Sequence, residues 1–156
     1  MAEPPEKRFD PRMHTAEHIV NQTMDRLYAC GRSFSAHIEK KKSKLDYHYD
    51  RDLQEQEVRD LERRVNAVIE ARLPVTEELI DRTEAMTRFN LERLPDDAGD
   101  RIRIIRIGDY DACPCIGPHV ANTGEVGPFR VISTSFENGV LRIRYKLSPP
   151  KTPAGA

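Results

Sequence analysis

Residues 129–147 read FRVISTSFENGVLRIRYKL. Two β-rich runs, Phe129 to Phe136 and Val140 to Leu147, flank Asn138-Gly139. Asn-Gly favours the left-handed backbone of a tight hairpin turn, and Arg142, Arg144 and Lys146 alternate with apolar residues along the second run. The stretch therefore predicts an antiparallel hairpin with one buried face. Upstream, Ile102, Ile104, Ile105 and Ile107 predict a strand closed by Gly108. Between them, residues 109–127 hold three Gly, two Pro and two Cys, and read as an irregular loop wrapped round something.

Towards the N-terminus the period changes. Residues 52–72, DLQEQEVRDLERRVNAVIEAR, repeat apolar side chains at spacings of three and four, from Leu53 through Val58, Leu61 and Val65 to Val68 and Ile69. That is an amphipathic helix, ended by Pro74. Val75 to Ile80 predicts a strand and Asp81 to Phe89 a short helix, with Asp81 as cap and a loop containing Pro95 and Gly99 after it. Ser33 to Ile38 and Lys44 to Tyr49 predict a second hairpin with Lys40, Lys41, Lys42 and Lys44 at its tip. A first helix is expected from Pro11 to Cys30, capped by Asp10 and stopped by Gly31. The order is helix, hairpin, helix, strand, helix, strands. It predicts a single α+β domain over residues 10–147, with a mainly antiparallel sheet packed with helices. Residues 1–9 and 148–156 have little to bury and are expected to be flexible tails.

Lys plus Arg number 25 and Asp plus Glu 26, so a uniformly basic nucleic-acid coat is excluded, while a locally basic face is not. No run of 18 apolar residues occurs, which argues against a membrane span. The first ten residues carry no apolar signal stretch, and three Cys fit a reducing compartment; a cytoplasmic location is expected.

Two motifs carry chemistry. In His14-Thr15-Ala16-Glu17-His18, positions i and i+4 share a helix face, so both imidazoles can point at one ion. Cys115-Ile116-Gly117-Pro118-His119 adds a thiolate and an imidazole on a tight turn. Three nitrogens and one sulfur suit Zn2+. The alternative is a buried Cys115 acting as a small hydrophobe and a plain loop histidine. Cys113 is a substitute ligand ranked below Cys115, because only Cys115 has a His four residues on. Glu17 reads as a solvated helix residue, rotated off the face that His14 and His18 share. The Glu spacing of helical zinc proteases, directly after the first His, is absent.

HTAEHIVN at residues 14–21 and CIGPHVANTGEVGPFRVIS at residues 115–133 resemble the second additional domain of alanyl- and threonyl-tRNA synthetases, and the free-standing alanyl-tRNA editing proteins built from it. VNAVIEARLPVT at residues 65–76 is similar to the central helix and following strand of that family, and the likeness covers most of residues 10–147. The resemblance implies a hydrolase, an aminoacyl-tRNA deacylase. It would clear seryl or glycyl esters from mischarged tRNA of the alanine system at a zinc group made of His14, His18, Cys115 and His119. The short free-standing form, acting in trans, fits a chain with no room for an aminoacylation domain. Gly117-Pro118-His119-Val120 is closer to the threonine-type loop, so seryl-tRNA of the threonine system is the alternative. A non-catalytic, zinc-stabilised RNA-binding module is a second alternative. The tRNA acceptor end is the expected partner, with Gly117, Pro118, Lys40, Lys41 and Lys42 as expected substrate contacts. Whether zinc activates water, anchors the amino acid or is structural, whether His119 is a ligand or a base, and the oligomeric state stay open at the level of sequence.

Overall fold

A computed structural model describes residues 10–91, 94 and 99–150. The elements are α1 (Pro11–Tyr28), β1 (Ser35–Ile38), β2 (Ser43–His48), α2 (Glu55–Glu70), β3 (Val75–Asp81), α3 (Arg82–Arg88), β4 (Arg101–Ile107), β5 (Asp111–Pro114), β6 (Phe129–Glu137) and β7 (Val140–Leu147). All their pairings are antiparallel, so the α+β class is as expected. The strands form two sheets, however, in the orders β1-β2-β7-β6 and β3-β4-β5. The expected tails at 1–9 and 151–156, and Pro95 of the expected loop, lie outside the described residues. Ser148, placed in the expected C-terminal tail, is held: its N–H donates to the Pro128 carbonyl at 2.9 Å and its own carbonyl accepts from the Arg12 guanidinium.

The β6–β7 hairpin turns through Asn138 and Gly139 at φ 50° and 79°, the double left-handed geometry that Asn-Gly favours. Its inner face carries Leu141, Ile143 and Tyr145, all fully buried, while Arg142, Arg144 and Lys146 point the other way. Leu45 and Tyr47 of β2 extend the buried surface. α2 lays Leu61, Val65, Val68 and Ile69 into the same core. Its exposed side is laced with i,i+4 pairs such as Glu55–Arg59 and Asp60–Arg64. A smaller core of Ala85, Ile102 and Ile104 joins α3 to the three-stranded sheet.

α1 is the central element. Asp10 caps it, its carboxylate accepting from the backbone N–H of Arg12 at 2.9 Å and of Met13 at 3.2 Å. One side lies on the four-stranded sheet, where the buried hydroxyl of Tyr145 donates to the Met13 carbonyl at 3.0 Å and that of Tyr47 to Asn21 at 2.7 Å. Another side faces β5 and the chain after it. Residues 13–21 are consequently all buried.

The segment 109–127 is more ordered than its composition suggests. Residues 111–114 pair with β4, and Thr123–Glu125 form a 3-10 turn. Gly127, at φ 84°, leaves space that a Cβ would close, since it would fall 2.3 Å from the Ser148 carbonyl. No helix among the described residues is long and apolar enough to cross a membrane.

Candidate metal centre

His14 and His18 stand one turn apart on α1, on the side facing the chain that leaves β5. That chain is fixed by Arg103 of β4. The Cys115 N–H donates to the Arg103 carbonyl at 3.1 Å, and the Arg103 guanidinium donates to the carbonyls of Cys115 at 3.1 Å and Gly117 at 2.7 Å. Segments about a hundred residues apart thereby meet. The donor atoms of His14, His18, Cys115 and His119 all lie within 4.8 Å of one another.

Each imidazole has a neighbour that sets its direction. His14 Nδ1 lies 3.0 Å from the Pro118 carbonyl; as that oxygen only accepts, Nδ1 carries the proton, and Nε2 faces Cys115 Sγ at 3.3 Å. His119 Nδ1 lies 2.9 Å from Thr15 Oγ1, and the same hydroxyl accepts the Val120 N–H at 3.2 Å. His18 Nδ1 lies 3.7 Å from Asp111 Oδ2, beyond hydrogen-bond reach but close enough for charge to act. Asp111 is itself gripped by both terminal nitrogens of Arg32, at 2.9 and 3.2 Å, and by Gln22 at 3.1 Å. Backbone carbonyls and carboxylates behind histidines are the usual orienting partners of metal-binding imidazoles.

The electrostatics follow from this crowding. Burial opposes the Cys115 thiolate, yet the His119, His14 and His18 imidazoles around it hold the thiol down to about 2. Burial also opposes a charge on His18, but Asp111 and Cys115 outweigh it and raise the group to about 10. Burial lowers His119 to about 4, leaving it neutral. The cluster therefore presents an anionic sulfur among three imidazoles. His119 Nε2 is buried with no hydrogen-bond partner. A buried orphan nitrogen beside a thiolate fits a cation in the middle of the group. A tetrahedral zinc with bonds of about 2.0–2.3 Å sets its donors roughly 3.3–3.8 Å apart, so small side-chain movements suffice to close on it.

The four residues expected as ligands are thus brought together. Cys113 is not among them: its Sγ is directed at the Pro114 carbonyl at 3.4 Å, and burial pushes its thiol up. Gly117 and Pro118, expected as substrate contacts, lend their carbonyls to Arg103 and His14. Lys40, Lys41 and Lys42 are exposed on the β1–β2 turn. That turn runs into Ser43, whose hydroxyl donates to Met13 Sδ at 3.4 Å, one residue before His14. The reading of Glu17 as solvated is corrected. It is 5% exposed, and its carboxylate lies 3.6 Å from His14 Nε2. The cause is that α1 is covered on two sides, so leaving the His14–His18 face does not lead to water. The roles of Thr15, Asp111 and Arg32, and the grip of Arg103 on the 115–119 loop, also escaped the sequence reading. An Asp-x-Cys-x-Cys alternation at 111–115 was the available signal, since residues two apart on a strand share a face.

Comparison with known proteins gives a consistent picture. Residues 102–144 match the domain family described as the Threonyl and Alanyl tRNA synthetase second additional domain. That match holds Cys115 and His119 but not α1. Longer alignments cover most of the chain. The chain is 35% identical over 147 residues to an alanine–tRNA ligase of Aeropyrum pernix, covering 90% of this chain and 16% of the ligase. It is 30% identical over 142 residues to one of Methanopyrus kandleri, covering 86% and 15%, and 31% identical over 134 residues to one of Fervidobacterium nodosum, covering 85% and 16%. The chain thus spans about one-sixth of the length of these curated relatives.

Proposed function

Starting from a chain built like the second additional domain of threonyl and alanyl tRNA synthetases, we propose that it is an aminoacyl-tRNA deacylase with a Zn2+ site. Its substrate in this reading is tRNA of the alanine system wrongly charged with serine or glycine, cleared in trans and in the cytoplasm. The carrying observation is the convergence of His14, His18, Cys115 and His119, with the buried, unpartnered His119 Nε2 at its centre. The relatives' names, all alanine–tRNA ligases, favour alanine over threonine tRNA.

His14, His18, Cys115 and His119 would hold the ion, which supplies a Lewis acid able to polarise an ester carbonyl or a water. The protein's own groups do the rest. Thr15, the Pro118 carbonyl and Asp111 aim the imidazoles. Arg103 keeps the 115–119 loop in place. Glu17 puts a buried carboxylate at the cluster, suited to accept a proton from water or to meet the α-ammonium that an aminoacyl ester carries. Four protein donors also suffice to close a tetrahedral ion, which favours the second reading, a zinc-stabilised RNA-binding module without catalysis.

Purified protein incubated with seryl-tRNA on alanine and on threonine tRNA decides between these readings. The proposal expects about one zinc per chain and faster release of serine from the alanine tRNA. Zinc without hydrolysis of either ester establishes the module. Faster release from the threonine tRNA reverses the specificity.

A further inference from the structure

The outer face of the four-stranded sheet is covered by no helix among the described residues, and it is basic. Strand register sets Lys44 of β2 directly opposite Arg144 of β7, and Arg130 of β6 directly opposite Lys146 of β7. Like charges facing one another across a ladder destabilise a sheet. This sheet keeps two such pairs side by side, two residues or about 7 Å apart along β7. Among the described residues none of the four cations takes part in an ion pair. Of the carboxylates on the same face, Asp46 is bonded to Arg142 at 2.7 and 2.9 Å and also feels the charges of Lys44 and Arg144, while Glu137 stands at the end of β6 next to the turn. Ser133 and Ser135 of β6 stand opposite Arg144 and Arg142 and add hydroxyls to the face.

The chain as a whole is almost neutral, at −1, so this concentration is local. Elsewhere, on α2, the Arg residues are neutralised by Glu and Asp at i,i+3 and i,i+4. A local rule broken twice at one place, with four cations that share only the charge of Asp46 and make no ion pair among the described residues, marks a surface suited to a partner outside the fold. The missing partner is a polyanion that meets cations and hydroxyls together, as a phosphate backbone does.

We propose that the face formed by Lys44, Arg144, Lys146 and Arg130 seats the phosphate backbone of RNA. The proposal deepens the deacylase reading, on which it rests, by naming where the nucleic acid lies. Lys44 adjoins Ser43, whose side chain turns to the opposite face and touches Met13. The bases are not read at this face; the contacts are to phosphate and carry no sequence preference.

The test measures binding of uncharged tRNA by fluorescence anisotropy between about 50 and 200 mM salt. Two double variants are compared with the wild type: Arg144→Gln with Lys146→Gln, and Lys44→Gln with Arg130→Gln. Each relieves both repulsive pairs, so thermal stability is expected to hold or rise. Binding at about 100 mM salt is expected to weaken tenfold or more, and the slope of log affinity against log salt to shrink by about 2. Opposite movement of stability and affinity separates lost contacts from damaged folding. Folded variants with wild-type affinity and slope overturn the proposal. So does tighter wild-type binding to polyglutamate or to anionic lipid vesicles than to tRNA. Because the ligand is uncharged tRNA, a wild type that binds it at this face but hydrolyses no ester defeats the deacylase reading alone. Normal hydrolysis with unaltered binding by the variants defeats this surface alone.

Discussion

The hydroxyl of Thr15 lies 2.9 Å from His119 Nδ1 and also accepts the Val120 N–H at 3.2 Å. A side chain between the two histidines of α1 thereby aims the imidazole contributed by the distant loop. Thr15→Val keeps shape and loses both bonds. Zinc affinity is expected to drop about 10–100-fold, the usual consequence of removing an orienting partner. Stability should fall by about 1 kcal/mol because the partly buried Val120 N–H loses its acceptor. Thr15→Ser should retain most of both. Competition with a chromogenic chelator measures the first effect and urea unfolding the second; unchanged affinity in the valine variant contradicts the role given to Thr15.

Asp111 supports His18 from behind while neutralising Arg32. Asp111→Asn is expected to weaken zinc binding about 10–100-fold while leaving the four donors in place. The same change leaves the Arg32 guanidinium without its counter-charge, so thermal stability should fall too. Metal content after dialysis against graded chelator checks the claim.

Glu17 sits beside His14 without belonging to the four-donor group. If it handles a proton or the substrate's ammonium, Glu17→Gln should lower the deacylation rate by about 10²–10⁴-fold, the range for removing a general acid or base, with zinc content unchanged. Loss of zinc in this variant would instead make Glu17 a support for His14. Atomic absorption run beside the kinetics tells the two apart.

Acid should weaken the fold through Asp46. Bonds to the Arg142 guanidinium, over the opposing effect of partial burial, hold its carboxyl below the ordinary 3.8. In that range the folded chain binds fewer protons than the unfolded chain. The contribution is therefore complete above about pH 4 and is lost as pH falls through the folded value. Asp46→Asn should lower stability at neutral pH and flatten the acid limb of a melting-temperature profile. An acid limb as steep as the wild type's would place the sensitive groups elsewhere.

The parts of this fold that local rules govern were legible. Asn138-Gly139 specifies its turn, the three-and-four repeat of α2 specifies a buried stripe, and Asp10-Pro11 specifies where α1 begins. The four ligand-type residues were legible because each pair keeps a fixed spacing. Long-range pairing was not. Nothing local says that β3, β4 and β5 separate from the other four strands. β5 was hidden because Pro114 and its Gly-rich surroundings read as loop, and with it went the alternation that sets Asp111 on the side of Cys113 and Cys115. Glu17 was misjudged because a helix viewed alone has one dry face, whereas α1 has two.

That two-sided enclosure of α1 has a consequence for how the chain is made. The helix leaves the ribosome well before residues that cover it: Tyr145, which holds Met13, follows His18 by 127 positions. At about 5–20 residues per second this interval lasts roughly 6–25 s. For most of it Ile19, Val20 and Met24 have only the β1–β2 hairpin and α2, and not β6 or β7, to lie against, and His14 and His18 have no thiolate beside them until Cys115 emerges. A product cut short before β7 is therefore no weakened version of the protein. It has all four ligand-type residues but lacks Leu141, Ile143 and Tyr145, so its first helix is left without much of the apolar surface that covers it, suited to chaperone capture or aggregation, and the metal centre loses its support together with the hydrophobic core.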